Sequence, residues 1–225
     1  MALRINLGLQ GGGAHGAFTW GVLDRLLEDD DIEISGISGT SAGALNGAAL
    51  KAGLLEDGRA GARARLDWLW GRIGALDDLI LPDWMQAWLP QPGIVSRMVE
   101  YSPGYMLGDT VSRMLSPYGW GSLYRNPLES IVAEFDFGRV CSVSGPEFFI
   151  GATCVRDGKI RVFEGDGITT QSILASACLP TLFQAVDLED PLTGNVEAFW
   201  DGGYTGNPPL FPLYRPEFPQ DIVIT

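Results

Sequence analysis

The stretch that decides the fold is residues 32–43, IEISGISGTSAG. Its first half alternates isoleucine with small or polar residues, which predicts a short buried strand. The strand runs directly into an elbow, Gly39-Thr40-Ser41-Ala42-Gly43, and residues 42–54 are rich in Ala and Leu, which predicts a helix. A serine on a tight strand-to-helix turn presents its hydroxyl for nucleophilic attack, beside the positive end of the helix dipole. Ser41 is therefore the candidate nucleophile, and a plain Gly/Ser turn is the alternative.

A glycine run precedes this elbow. Residues 4–10 predict a strand, residues 17–27 predict a helix, and Gly11-Gly12-Gly13-Ala14-His15-Gly16 joins them. Two strand–loop–helix units in succession are typical of a parallel α/β sheet. Consecutive backbone N–H groups at a helix N-terminus can hold the oxyanion of an acyl-transfer reaction, so Gly11, Gly12 and Gly13 are candidate donors. The alternative is a phosphate or dinucleotide loop, although no Gly-Lys-Ser/Thr follows and the dinucleotide fingerprint matches only loosely.

The general base has two candidates. A Ser-His-Asp hydrolase of this type carries its histidine after the serine, but His15, the only histidine, precedes Ser41. Asp201 follows an apolar strand at 198–200 and precedes two glycines. It could take the serine proton if partial burial raises its pKa, or it could simply form an Asp-Gly turn. His15 is open to three interpretations, namely base, substrate or loop contact, and structural residue.

The middle of the chain departs from the α/β pattern. We expect a helix at 59–73, and then residues 74–127, rich in Pro, Trp and Tyr, form an insertion. An apolar lid over the site is one interpretation, with ordinary packing as the alternative. The residues that would form the lid are Trp84, Trp88, Leu89, Ile94, Met98, Tyr101, Tyr105 and Met106. Among these, Trp84 and Trp88 are candidate substrate contacts.

Regular elements resume after the insertion. The patterns predict a helix at 127–135, a hairpin from 148–155 and 159–163, and a small-residue helix at 170–178. The final residues, 221–225, predict another core strand with buried side chains. From this ending we expect a single domain over 1–225 that is truncated at its C-terminus.

Composition limits the partners. Lys+Arg 15 against Asp+Glu 28 gives a net charge of −13, which argues against nucleic acid and against constitutive docking on anionic lipid. Three cysteines without CxxC spacing and a single histidine predict reduced thiols and no zinc site. The first residues lack the long apolar stretch of a secretory signal, so we expect none, and no apolar run approaches the ~20 residues of a membrane span. We therefore expect a cytoplasmic protein with transient contact to membranes or micelles, and the oligomeric state stays open.

These motifs, in this order, resemble the patatin-like phospholipase family. Its pattern is a Gly-Gly-Gly-x-Arg/Lys-Gly loop, a Gly-x-Ser-x-Gly elbow and a late Asp-Gly-Gly/Ala, which here stand at 11–16, 39–43 and 201–203. Residues 172–180, SILASACLP, resemble the family's Ala-Ser-x-x-x-Pro block. The resemblance covers residues 5–225. It implies a three-layer α/β/α sandwich with a mostly parallel central sheet, a Ser41–Asp201 dyad and an oxyanion hole of Gly11, Gly12 and Gly13.

Two positions differ from the family pattern, because His15 replaces the usual Arg/Lys and Gln10 stands where Asp often precedes the glycines. Neither change removes a catalytic group. The expected function is a serine acyl hydrolase that cleaves phospholipid, lysophospholipid or other fatty acyl esters through an acyl-enzyme, without cofactor or metal. The alternatives are an acyltransferase or thioesterase with the same dyad, and a non-catalytic lipid-binding module.

Overall fold

The computed structural model describes residues 2–78, 117–119 and 124–225. These residues form a seven-stranded sheet in the order β5-β6-β3-β2-β1-β7, with β4 also paired to β3. The strands are β1 (Leu3–Leu9), β2 (Ile32–Gly39), β3 (Glu147–Cys154), β4 (Lys159–Glu164), β5 (Val186–Glu189), β6 (Val196–Asp201) and β7 (Ile222–Ile224). The pairings β3-β2, β2-β1 and β1-β7 are parallel, whereas β3-β4, β3-β6 and β6-β5 are antiparallel. The α/β class is confirmed, and the parallel pairing lies in the half of the sheet that carries the elbow.

The helices of the described residues flank this sheet. They are α1 (Gly16–Leu26), α2 (Ala42–Asp78), α3 (Glu129–Val132), α4 (Phe137–Val140) and α5 (Thr170–Ser176). The backbone of α2 leaves helical geometry at Asp57 and at Gly58, where φ is 56°. Glycine tolerates that left-handed conformation, so the chain bends where the sequence predicts a break between two helices. A capping box between Thr169 and Ser172 starts α5.

The two faces of the sheet are covered differently. Leu7, Leu9 and Ile37 belong to the buried core, to which α2 contributes Leu50 and Leu66. On the alternate positions of the same strands, glycines make room for the segment 206–219. A Cβ on Gly8 would lie 2.9 Å from Leu210, one on Gly36 would lie 2.9 Å from Leu213, and one on Gly151 would lie 2.8 Å from Pro209. Because side chains alternate between the two faces of a strand, these glycines all open the same face of the sheet. The chain after Asp201 packs against that face and so passes close to the glycine loop.

Several predicted elements differ in detail from the structure. The hairpin is confirmed, but the helix predicted at 127–135 is reduced to α3, and β5 has no counterpart in the prediction. The strand predicted at the chain's end is present as β7, which pairs with β1 along one side, and Ile224 is 52% exposed. Helix α2 continues to Asp78, so the predicted insertion at 74–127 begins as helix. Trp84, Trp88 and the other proposed lid residues lie outside the described residues.

Candidate active site

The elbow has the strained geometry that its sequence predicts. Ser41 has φ 56° and is the only non-glycine residue in the described ranges with a positive φ. Such a backbone is disfavoured by about 1 kcal/mol or more and persists only where the surroundings enforce it. Here they do, because a Cβ on Gly43 would lie 2.0 Å from the Leu9 carbonyl oxygen and one on Gly39 would lie 2.6 Å from that of Gly43. Both glycines of the elbow are therefore required by close backbone packing.

A buried serine fixes the backbone of the nucleophile. The Ser41 N–H donates to Ser176 Oγ at 2.9 Å, and that hydroxyl donates to the Gly151 carbonyl at 2.6 Å. Ser176 ends α5 and is fully buried. The sequence analysis assigned no role to Ser176, although it lies in the Ala-Ser-x-x-x-Pro block. It ties α5 and β3 to the elbow.

Asp201 ends β6, lines a cavity together with Ser41 and has one carboxylate oxygen without a hydrogen-bond partner among the described residues. Its Oδ1 accepts the Gly203 N–H at 2.7 Å, whereas Oδ2 is buried and has no hydrogen-bond partner among the described residues. Burial raises the pKa of the Asp201 carboxyl, and the Gly203 N–H and the Ser41 hydroxyl oppose the shift. The Ser41 hydroxyl is thus close enough to favour the ionised carboxylate, but the pair does not meet the geometry of a hydrogen bond in this arrangement.

A protonated thiol accompanies this carboxylate. Burial raises the pKa of the Cys178 thiol to about 12, and the negative charge of Asp201 acts in the same direction. The thiol donates to the Gln184 carbonyl at 2.9 Å, and the Cys178 carbonyl accepts the Asp201 N–H at 2.8 Å. A thiol with so high a pKa is a poor nucleophile at neutral pH. Cys178 therefore contributes to the site through its backbone carbonyl, which helps to position Asp201.

The glycine loop is held by a residue that the sequence analysis missed. Gly11 N–H donates to Asn207 Oδ1 at 2.5 Å, and Asn207 Nδ2 donates to the Gly11 carbonyl at 3.3 Å. The N–H groups of Gly12 and Gly13 have no acceptor within the described part of the chain, and both residues are exposed. The only available signal for Asn207 was the Asn-Pro dipeptide shortly after Asp201-Gly-Gly, which marks a turn.

Two cavities meet at Ser41 and share Gly13 and Leu179. The first and smaller cavity, of about 300 Å³, includes Asp201, Tyr204 and Asn207 among its lining residues. The second, of about 410 Å³, is mainly apolar. Its side chains are those of Ala14, Ala17, Ala42, Leu45, Trp70, Ile73, Leu128, Ala177, Leu182 and Phe183. The nucleophile thus stands between two cavities, and the smaller one also contains the Asp201 carboxylate.

His15 lies beside the glycine loop but lines neither cavity. It is exposed, and its Nδ1 contacts the Gly12 carbonyl at 3.0 Å, which requires the proton on Nδ1 because a carbonyl only accepts. This contact fits the loop-contact interpretation better than the base. Among the described residues, no three His, Cys, Asp or Glu side chains cluster as a metal site would require.

The family model of the patatin-like phospholipases matches residues 7–214. The match covers nearly the whole chain, and the chain belongs to the patatin-like phospholipase family. That membership supports lipid acyl hydrolysis in general terms. A search of curated proteins found no match. No helix in the described ranges is long and apolar enough to cross a bilayer.

Among solved structures, the chain is similar to VipD from Legionella pneumophila, with 16% identity and a TM-score of 0.51 over 98% of this chain and 49% of VipD. At that identity the likeness shows the fold alone, and this chain spans about half the length of VipD. A looser match is ExoU in its complex with SpcU, from the type III secretion system of Pseudomonas aeruginosa. It has 20% identity and a TM-score of 0.38 over 80% of this chain and 37% of the other, too distant to add to the fold comparison.

Proposed function

We propose that this protein is a serine hydrolase that cleaves fatty acyl esters of lipids, phospholipids and lysophospholipids included, through a Ser41–Asp201 dyad. The observation that carries the proposal is the buried Oδ2 of Asp201, which has no hydrogen-bond partner among the described residues, on a residue that lines the same cavity as Ser41. A buried polar atom without a hydrogen bond is unfavourable for stability. A role as the base that accepts the Ser41 proton explains why a carboxylate is kept at this buried position despite that cost.

The chemistry needs only these two side chains and water. Asp201 takes the Oγ proton while Ser41 Oγ attacks the ester carbonyl carbon, and its raised pKa makes the carboxylate a stronger base than an ordinary aspartate. The tetrahedral intermediate expels the alcohol, which receives the proton from Asp201. Water, deprotonated by Asp201, then attacks the acyl-enzyme, and the proton returns to Ser41 as the fatty acid leaves.

Gly12 and Gly13 supply the oxyanion donors in this proposal. Their N–H groups are free within the described residues, whereas that of Gly11 is engaged with Asn207. Gly11 then contributes by its lack of a side chain, which lets the loop lie close to the nucleophile, since a Cβ at this residue would lie 2.7 Å from Ser41 Cβ. The N-terminus of α2, which begins at Ala42, adds partial positive charge beside the same oxygen.

In this proposal the two cavities bind different parts of the substrate. The apolar cavity, about 410 Å³, receives the acyl chain, and Trp70 and Leu45 form part of its wall. The smaller cavity, about 300 Å³, receives the alcohol portion, and Tyr204 offers a hydrogen-bonding side chain there. A pocket with apolar walls and a few polar groups is the usual form of a small-molecule site.

Four variants test the dyad: Ser41→Ala, Asp201→Asn, His15→Gln and, as a matched control, Asp187→Asn, which alters an exposed carboxylate on β5. Hydrolysis of a soluble short-chain ester and of a lysophospholipid is measured for each. We expect losses of about 10²–10⁴-fold in kcat for the first two. We expect clear residual activity in His15→Gln and normal activity in the control.

Two results would overturn the dyad. Folded Asp201→Asn with normal turnover would exclude Asp201 as base, and loss of activity in His15→Gln alone would assign that role to His15. Addition of an alcohol or thiol acceptor to the wild-type reaction distinguishes hydrolase from transferase, because only a transferase favours the acceptor over water.

A further inference from the structure

Four segments that supply most of the lining of the two cavities carry no charged side chains. Residues 5–23, 34–50, 167–186 and 202–214 contain no Asp, Glu, Lys or Arg, in a chain that is 19% charged. Most residues that line the cavities belong to these segments. These four described segments of the mouth are therefore uncharged, although the whole chain has a net charge of −13.

Three exposed apolar or amphipathic side chains stand at this mouth, and we name them the rim: Phe18, Leu182 and Tyr204. They are 72%, 58% and 61% exposed. Leu182 lines the larger, apolar cavity and Tyr204 lines the smaller one. Phe18 adjoins Ala17 on α1 and lies one helical turn after Ala14, and both alanines line the apolar cavity. Exposed apolar side chains grouped around an opening mark an interaction surface.

We infer that the rim docks on an electrically neutral lipid surface, such as a zwitterionic bilayer or an uncharged lipid aggregate. This inference rests on the proposed function, because a lipid ester must pass from its aggregate into the apolar cavity. An apolar, charge-free rim lets the acyl chain enter without displacing the hydration of a charged group. Phenylalanine, leucine and tyrosine are the side chains that insert at bilayer interfaces.

Charge decides between the kinds of lipid surface. Attraction to anionic lipid needs clustered Lys or Arg near the surface, and the segments around the mouth contain none. The net charge of −13 adds repulsion from an anionic leaflet. Zwitterionic or uncharged lipid exerts no such force, and binding to it depends on buried apolar area alone, so added salt has little effect.

Binding is tested separately from turnover in the 225-residue chain with Ser41→Ala as background. Sedimentation with phosphatidylcholine vesicles is compared with sedimentation at increasing phosphatidylserine content. We expect binding to phosphatidylcholine, about tenfold weaker binding after Phe18→Ser or Leu182→Ser, and weaker binding as phosphatidylserine rises. The matched controls are Val143→Ser and Leu192→Ser, which remove side chains that are 100% and 75% exposed outside the four uncharged segments. They should bind as the background does.

In the active chain, Phe18→Ser should reduce hydrolysis of vesicle lipid and leave hydrolysis of a soluble short-chain ester unchanged. Equal binding by the rim and control variants, stronger binding to anionic vesicles, or no vesicle binding at all would overturn the inference. Failure of the proposed function has a different signature. In that case the wild type hydrolyses no ester, while the Ser41→Ala chain still binds phosphatidylcholine through Phe18.

Discussion

Gly11 and Asn207 hold each other through paired hydrogen bonds across 196 positions of sequence, N–H to Oδ1 at 2.5 Å and Nδ2 to carbonyl oxygen at 3.3 Å. The pair joins the loop before α1 to the loop after β6. The two loops carry the proposed oxyanion donors and, six residues before Asn207, the proposed base. Asn207 therefore positions the donors relative to Asp201 and Ser41.

Asn207→Ala should lower kcat for a soluble ester by about 10–10²-fold, because displacement of catalytic groups by about 1 Å can have effects of that size. KM should change little, since the acyl cavity is untouched. Affinity for a transition-state analogue such as a boronic acid should fall in parallel with kcat/KM, whereas affinity for the fatty acid product should not. Gln10→Ala, which removes only a 3.3 Å bond to the Asn207 carbonyl, is the control. Normal kcat in folded Asn207→Ala would contradict the positioning role.

Asp201→Asn should stabilise the protein in a pH-dependent way. Burial raises the folded-state pKa of Asp201, so between the ordinary aspartate pKa of about 3.9 and the raised value the folded state keeps a proton that the unfolded state has lost. The free energy of unfolding of the wild type therefore falls across that interval as pH rises. The Tm of Asp201→Asn minus that of the wild type should be small at low pH and grow toward neutral pH. A difference that does not vary with pH, or one matched by Asp187→Asn, would contradict the buried charge.

Gly43→Ala should destabilise the fold by about 3 kcal/mol or more, since its Cβ would fall 2.0 Å from the Leu9 carbonyl oxygen and the backbone of β1 would have to move. Gly21→Ala is the matched control. Gly21 lies inside α1, and a Cβ there would meet nothing within 4 Å, so alanine should stabilise by about 0.5–1 kcal/mol. Urea unfolding measures both. Equal stability of the two variants would be incompatible with the close packing of the elbow.

Trp70→Ala should shift the preference toward longer acyl chains. Trp70 lines the apolar cavity, and its Nε1–H donates to Asn46 Oδ1 at 2.9 Å. Each additional methylene that becomes buried contributes about 0.8 kcal/mol, or roughly fourfold in kcat/KM. A series of p-nitrophenyl esters from butyrate to laurate measures the profile. Trp70→Phe, which keeps an aromatic wall and removes the hydrogen bond, should stay close to the wild type. If the chain-length dependence of kcat/KM in Trp70→Ala equals that of the wild type, the acyl chain does not bind beside Trp70.

The sequence predicted the elements whose signals are local. The alternation of Ile32, Ile34 and Ile37 with small residues predicted β2, and the glycines around Ser41 predicted a strained elbow, because both depend on neighbouring residues only. The bend of α2 at Gly58 was predicted for the same reason. β5 was missed although its residues VDLE alternate between apolar and acidic, because a run of four residues is too short to separate a strand from a loop.

The parts of the site that depend on distant pairs could not be predicted. Asn207 acts on a residue 196 positions away, and Ser176 binds an N–H 135 positions away. Neither residue type has a property that indicates such a partner in advance. The burial of Asp201 is a similar case, since the chain segments that surround it come together only in the fold.

The contact between Gly43 and Leu9 also limits how such a protein can evolve. Since no side chain fits between the elbow helix and β1, a substitution at Gly43 requires a compensating movement of β1, and β1 leads directly into the glycine loop. The nucleophile and the oxyanion donors must consequently diverge as one unit. Phe18 and Leu182 are under no such mutual restraint, so lineages can adapt to different lipid surfaces while the chemical step is inherited unchanged.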